Sequence, residues 1–460
     1  MSDSRLTRRS LVRGTAAGVA GLAAVAGTQG AFAAGSATVR QFTPGLRQAL
    51  SGEITVSYPD EAGKKPKYVQ QAADNVTKAN PDAKINIDLQ KVDGGTYMTS
   101  LLLKLDSGDS PDVFHVGGDS IGALADAGYI DPLDDYLANW PDWSQYPDSV
   151  KSGVTYQGKV WAIPYGLDTR FLYYRKDEFD KAGLGADWQP QNVAGILEAA
   201  QAIQTAGAAK IPYAIYAGTG AQGGAVDHAY IPLVWAYGGD VMDADGKWIT
   251  DSPAIRKALT YIQDAYVTDK LVPAEILTTT QPWKAMREAV GNGDLALLFE
   301  GGWVYGGWYG ADQANAETNI GYLLHPTESG GPSFTIGGPG TCWYLSSDGK
   351  NKDLAWEFIK AFNQPDIVAA LNLEDPHPVA RADAAALPEF KAVKFLVDST
   401  DSLAHARFVP PAADRAKFDQ AVQEATGSVA SGQASPEEAA KKMTDDLKRS
   451  AGDDRVVTQQ

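Results

Sequence analysis

The stretch ITVSYPDEAGKKPKYVQQAADNVTKANPDAKINIDLQ, residues 54–90, changes its hydrophobic period twice, and that change decides the fold class. ITVSY (54–58) reads as a strand. Val69, Ala72, Ala73 and Val76 then fall on one helical face, and Asn80-Pro81 stops the helix. KINIDLQ (84–90) returns to a period of two, as a second strand does. The pattern then repeats: Met98, Leu101, Leu102 and Leu105 share a helical face, Gly108 breaks the helix, and DVFHV (112–116) reads as a buried strand. This β-α-β-α-β order implies an α/β lobe on a mostly parallel sheet, because parallel neighbours need a crossover and a helix supplies it. Ligands of such sheets sit beyond the carboxyl ends of the strands.

Further along, DPLDDYLANWPDWSQYPDSV (131–150) is rich in Pro, Asp and Trp and reads as irregular connecting structure. VWAI (160–163) and FLYY (171–174) look like strands opening a second α/β region. Ser252-Pro253 is a helix start with Ile255, Leu259, Ile262 and Tyr266 on one face, and Ser435-Pro436-Glu437-Glu438 is a capping box. Asp243-Ala244-Asp245-Gly246 reads as a turn joining Val241-Met242 to Trp248-Ile249. GTGAQGG (218–224) reads as a flexible connection.

Two kinds of loop point to a ligand. FEGGWVYGGWYG (299–310) follows the apolar run LALLF, so it should emerge at a strand's carboxyl end. Its glycines let the backbone approach a ligand closely, and Trp303 offers a flat face with a free N–H, which suits a sugar. The competing reading is that these rings plug a seam between lobes, with Trp308 or Tyr309 in the core. Acidic residues also recur after strands: Asp60-Glu61, Asp119 and Asp168. Carboxylates accept charge-assisted hydrogen bonds from paired hydroxyls or from an ammonium group. Equally, an aspartate in such a place caps the following helix.

The amino terminus has the pattern of an export leader. Arg5, Arg8, Arg9 and Arg13 precede an Ala/Gly/Val/Leu run, and Ala31-Phe32-Ala33 supplies a cleavage point. Arg8-Arg9 closely resembles a twin-arginine address. The apolar run is too short and too rich in Gly and Ala to span about 30 Å of hydrocarbon as an anchor. Cleavage after residue 33 leaves 36 basic and 56 acidic side chains, a net charge of −20. A field of that sign disfavours nucleic acid and anionic membranes and favours a neutral or cationic ligand. Cys342 is the only cysteine, so no internal disulfide and no lipid anchor near the cleavage point are expected.

Other chemistries find little support. None of the Gly-Lys pairs is followed by Ser or Thr, so there is no nucleotide-binding P-loop, and the five scattered histidines form no metal motif. No metal or cofactor is expected. Gly118-Asp119-Ser120-Ile121-Gly122 does match the G-x-S-x-G of a hydrolase elbow, which keeps an exported esterase or glycosidase using Ser120 as an alternative. The oxyanion motif that accompanies such an elbow is absent.

In order and spacing, SGDSPDVFHVGGD (107–119), YQGKVWAIPYGLDTRFLYYRKDEFDKAGL (156–184), VWAYGGDVMDADGKW (234–248), GDLALLFEGGW (293–303), GGPGTCWYLSSDGKNKDLAWEFIKAF (337–362) and SGQASPEEAAKKMTDDL (431–447) are shared with one group. The chain resembles the extracellular solute-binding proteins of the sugar-binding class, the receptors of ABC importers, such as maltose-, trehalose- and oligosaccharide-binding proteins. The resemblance implies a two-lobed periplasmic-binding-protein fold, type II-like, each lobe a mostly parallel sheet flanked by helices, with three hinge crossings. By analogy the crossings fall near Ala162–Tyr165, Ser333–Gly338 and Pro376–Arg381. The leader is then 1–33 and a linker 34–52; the first lobe is 53–163 plus 335–380, the second 164–334 plus 381–450, and 451–460 a tail. Residues implied to touch sugar are Asp60 with Glu61, Asp119, Asp168 and Trp303, with Tyr165, Trp343 and Arg381 at the crossings. The implied protein is a monomeric, non-enzymatic receptor that captures a neutral mono- to oligosaccharide by hinge closure and delivers it to membrane permease subunits. It would be exported and work in a periplasm or otherwise outside the cytoplasm, without a lipid anchor. A cationic ligand such as a polyamine is the alternative within the same fold. The twin-arginine leader and the lack of a lipoprotein cysteine depart from the usual pattern of the group.

Overall fold

A computed structural model describes residues 49–309 and 313–459. The leader and most of the linker lie outside the described residues. In chain order the strands of the two main sheets are β1 (Gly52–Pro59), β2 (Ala83–Gln90), β3 (Val113–Val116) and β4 (Ile163–Asp168), then β5 (Arg170–Arg175), β6 (Ile211–Ala214), β7 (Leu295–Gly301), β8 (Ile320–Leu323) and β9 (Gly338–Leu345). The first sheet has the order β2-β1-β3-β9-β4 and the second β8-β5-β7-β6. Each sheet anchors one lobe.

Local signals act where the sequence places them. Helix α1 (Pro66–Ala79) buries Val69, Ala72, Ala73 and Val76, and α2 (Gly94–Ser107) ends at Gly108, whose φ of 78° only glycine adopts freely. Ser252 caps its helix through the Ile255 N–H, and Ser435 and Glu438 form the capping box. Met242 bridges Trp248 across the turn at Gly246.

Both sheets are mixed, not mostly parallel. β1–β2, β1–β3 and β6–β7 are parallel, but β3–β9, β9–β4, β5–β7 and β5–β8 are antiparallel. The parallel pairs within the first lobe come from the β-α-β-α-β unit. Strands that arrive from the other lobe need no crossover helix, so nothing imposes the parallel direction on them. The first passage between sheets also lies later than Ala162–Tyr165. Ile163 pairs with Trp343 and Asp168 with Gly338, which keeps β4 in the first sheet, and β5 begins two residues later. Thr169 is therefore the link. Thr335–Ile336 pairs with Ala406–Arg407 just before β9 enters the first sheet. In the segment expected as the third crossing, Leu167 N–H donates to Pro378 O and Val379 bridges Gly166, so it lies against the first sheet, and the helices Ala382–Ala385 and Pro388–Lys391 beyond it still pack on the helix Pro365–Glu374. VWAI straddles the end of a small hairpin and the start of β4. The segment expected as a tail is a strand: Val456–Thr458 pairs with Trp248–Asp251 and buries Val456.

Candidate functional site

Because β1 and β3 run parallel, their carboxyl ends open on one edge of the first sheet, at Pro59 and at Val116-Gly117. A cavity of about 570 Å³ lies at that edge. The first lobe contributes His115 and the turn Gly117–Ser120, which leads into helix α3 (Ile121–Asp126). The first link contributes Asp168 and Arg170, and the second contributes Gly337–Gly340. Opposite stand Asp227, Trp235, Arg415 and Asp419 of the second lobe. The wall is close-fitting at Gly340, where any Cβ would sit 1.7 Å from Asp168 Oδ1.

Four carboxylates and two guanidinium groups share this space, and the pairing among them is uneven. Arg415, at the start of the helix Arg415–Ala430, donates from Nη2 to Asp227 Oδ1 at 2.8 Å and from Nε to Asp419. Burial disfavours the Asp227 anion, but Arg415 and Arg170 outweigh it and hold the carboxyl below the usual range. Asp419 is pushed up to about 7, because burial exceeds the help it receives from Arg415 and Asp227 adds repulsion. Burial also raises Asp168, whose nearest cation, Arg170 Nη2, is 3.4 Å from Oδ2. Asp119 is exposed at the rim. Asp227 projects from the π-helical turn Val226–Tyr230, a local widening of the helix common at ligand sites. GTGAQGG, read as a flexible connection, consists of two short helical turns feeding that segment, and Gly223 lines the cavity.

The aromatic loop after β7 divides its rings. Tyr305 stacks on Phe395 at 4.2 Å, and Trp308 meets Tyr173 edge-on while its indole N–H donates to Arg287 O; both belong to the second lobe's packing. Among the described rings of the loop, Trp303 stands at the seam. His377 stacks on it at 5.6 Å and 14°, and Arg170 lies over its ring at 5.3 Å. Just before it, Glu300 is fully buried and accepts from Arg287 Nε at 3.0 Å, Tyr216 Oη at 3.1 Å and Gly301 N–H at 2.8 Å, with His228 Nδ1 3.1 Å away. Burial opposes the Glu300 anion, but His228 and Arg287 overcome it and bring the carboxyl down to about 2, while burial lowers His228 to about 4.

Of the residues expected to touch ligand, the structure brings Asp119 and Asp168 to the cavity and places Trp303 behind Arg170. The others are not in its lining. Asp60 is buried and its two oxygens accept from Gly63 and Lys65 N–H groups, so it closes its own loop. Glu61 pairs with Lys284 of helix α4 (Trp283–Asn292) across the lobes at 3.0 Å. Tyr165 and Trp343 are enclosed in the first lobe behind His115. Arg381, 2% exposed, bonds Asp383, Asp142 and the Asn363 carbonyl and is not in the cavity lining. Sequence reading passed over Arg170, which stands two residues beyond Asp168, and Trp235, inside a quoted motif. Asp227, Arg415 and Asp419 sit in no motif at all. As for Ser120, its hydroxyl contacts Asp119 at 3.4 Å, and no histidine hydrogen-bonds it among the described residues.

Two α/β lobes, three passages between them and a charged, aromatic-walled cavity at their junction define a two-lobed binding protein. The sequence pattern of the bacterial extracellular solute-binding protein family matches residues 60–369, and the chain belongs to that family. A maltotriose-binding protein of Pyrococcus abyssi is 22% identical over 349 residues, covering 74% of this chain and 69% of that protein. Maltose-bound MalE3 of T. maritima superposes with a TM-score of 0.74 at 20% identity, covering 86% of this chain and 99% of that one. The GacH receptor of Streptomyces glaucescens, solved unliganded and with acarbose, gives 0.73 at 22% identity, covering 87% of this chain and 98% of that one. Among the described residues no helix is long and apolar enough to cross a membrane.

Proposed function

We propose that this chain is the substrate-binding receptor of an ABC carbohydrate importer and captures a neutral sugar, from mono- to oligosaccharide, between its lobes. The observation that carries this reading is the cavity itself: carboxylates and guanidinium groups from both lobes converge beside Trp235 at the lobe junction. Such groups bind paired hydroxyls from two directions. A ligand touching both lobes stabilises the closed arrangement by its differential contacts, so capture is a shift between open and closed populations. The permease then distinguishes the closed form. Sugar-binding family members among the relatives support the reading. Export by the twin-arginine route, suggested by Arg8-Arg9, and action as a monomer belong to the same proposal.

A thermal-shift panel of mono-, di- and trisaccharides tests it. A sugar at 100 times its dissociation constant adds about 2.7 kcal/mol of stability. A response to polyamines with none to sugars would transfer the site to a cationic ligand. Product release from an ester or glycoside, abolished by Ser120→Ala, would make the protein a hydrolase.

A further inference from the structure

We propose that the cavity continues into an uncharged polar subsite behind His115, which receives hydroxyl groups of the sugar. This rests on the carbohydrate reading above. His115 lines the cavity, is 7% exposed, and neither ring nitrogen has a hydrogen-bond partner among the described residues. Behind it, Trp343 Nε1, Tyr58 Oη and Tyr165 Oη are likewise buried without partners.

Strand register brings these groups together. Trp343 pairs directly with His115 across β9 and β3, and Ser57 pairs with Phe114, which sets Tyr58 beside His115. Tyr165 falls where the β9–β4 register slips, between Pro164↔Cys342 and Gly166↔Thr341. The rings touch: His115 to Tyr165 at 5.5 Å, His115 to Trp343 at 5.7 Å, Tyr165 to Trp343 at 6.0 Å and Tyr58 to Trp343 at 6.2 Å. Five orphaned polar atoms in one cluster are unusual, since nearly all buried polar groups are hydrogen-bonded and an unmade bond costs more than a made one gains.

The chemistry of the cluster selects its guest. An indole N–H only donates, so the guest must accept; a neutral imidazole also needs a donor for its second nitrogen. Burial keeps His115 neutral, its pKa well below the ordinary value. A hydroxyl satisfies both demands. An ammonium group cannot accept from Trp343, and a carboxylate cannot donate to His115.

Isothermal titration with glucose, maltose and maltotriose tests the subsite. For whichever sugar the unaltered protein binds, His115→Phe is expected to weaken affinity about tenfold or more, and Tyr165→Phe about threefold or more. His115→Gln, which donates and accepts, should restore most of the loss. In the absence of sugar, the melting temperature of both phenylalanine variants should be unchanged or higher, because removing an orphaned polar group relieves its desolvation cost. Unchanged affinity in His115→Phe, or a parallel loss of affinity and stability that His115→Gln does not rescue, overturns the subsite alone. Absence of binding of all three sugars to the unaltered protein overturns the carbohydrate reading and the subsite with it.

Discussion

Glu300 and Asp419 are carboxylates of the same lobe, each bonded to a guanidinium group, yet they are built for different ends. Glu300 has its own arginine, a tyrosine hydroxyl, a backbone N–H and a histidine, no exposure, and a pKa held down to about 2. Asp419 shares Arg415 with Asp227, keeps 24% of its side chain exposed to the cavity, and is pushed up to about 7. A carboxylate whose lone pairs are all answered by the protein holds structure together. One that shares its cation keeps oxygens free for a ligand.

The sharpest way to break this comparison is Glu300→Ala. It leaves Tyr216 Oη, the Gly301 N–H and the half-buried Arg287 guanidinium without their acceptor and should cost about 2–4 kcal/mol of unfolding free energy in a urea titration. A loss below about 1 kcal/mol would make Glu300 no anchor. Asp168→Ala should do the reverse, weakening sugar binding about tenfold or more by calorimetry while unfolding free energy changes by less than about 1 kcal/mol.

Unfolding free energy measured against pH sharpens it further. His228 is neutral in the fold where the unfolded chain is already protonated, so its contribution is complete above about 6.5 and is lost as pH falls toward 4. Glu300 acts in the same sense, complete above about 4.5 and lost as pH falls toward 2. Asp419 runs oppositely: the fold holds its proton, so its contribution is complete below 3.8 and is lost as pH rises through about 7. Asp419→Asn should therefore flatten the neutral side of the profile, by no more than about 1 kcal/mol given its exposure, and leave the acid limb intact. An unaltered neutral limb would show that Asp419 carries no strained charge. The smallest effect belongs to the rim: Glu61→Ala removes an ion pair whose partners are both more than half exposed, and should shift stability by at most about 0.5 kcal/mol at 0.15 M salt.

Much of the frame was legible from local pattern. The β-α-β-α-β unit, the caps at Ser252 and Ser435 and the strand before the aromatic loop follow from periodicity and turn chemistry within a few residues. The direction of β9 was not legible, because an apolar run reads the same whichever way it enters a sheet. Trp343 shows the same limit: an aromatic beside a crossing looked available, and only its neighbours on β3 and β4 enclose it.

By itself the sequence determined an acidic, cysteine-poor α/β chain with aspartates and a glycine-rich aromatic loop at strand ends, since charge, spacing and backbone permissiveness are local properties. Tertiary structure alone decided that Asp60 would spend its oxygens on its own loop while Asp168 stayed in the cavity. It also decided that Arg415 would find Asp227, 188 residues away. Desolvation and ion pairing depend on what is near in space, and neither distance nor burial is written in the order of the residues.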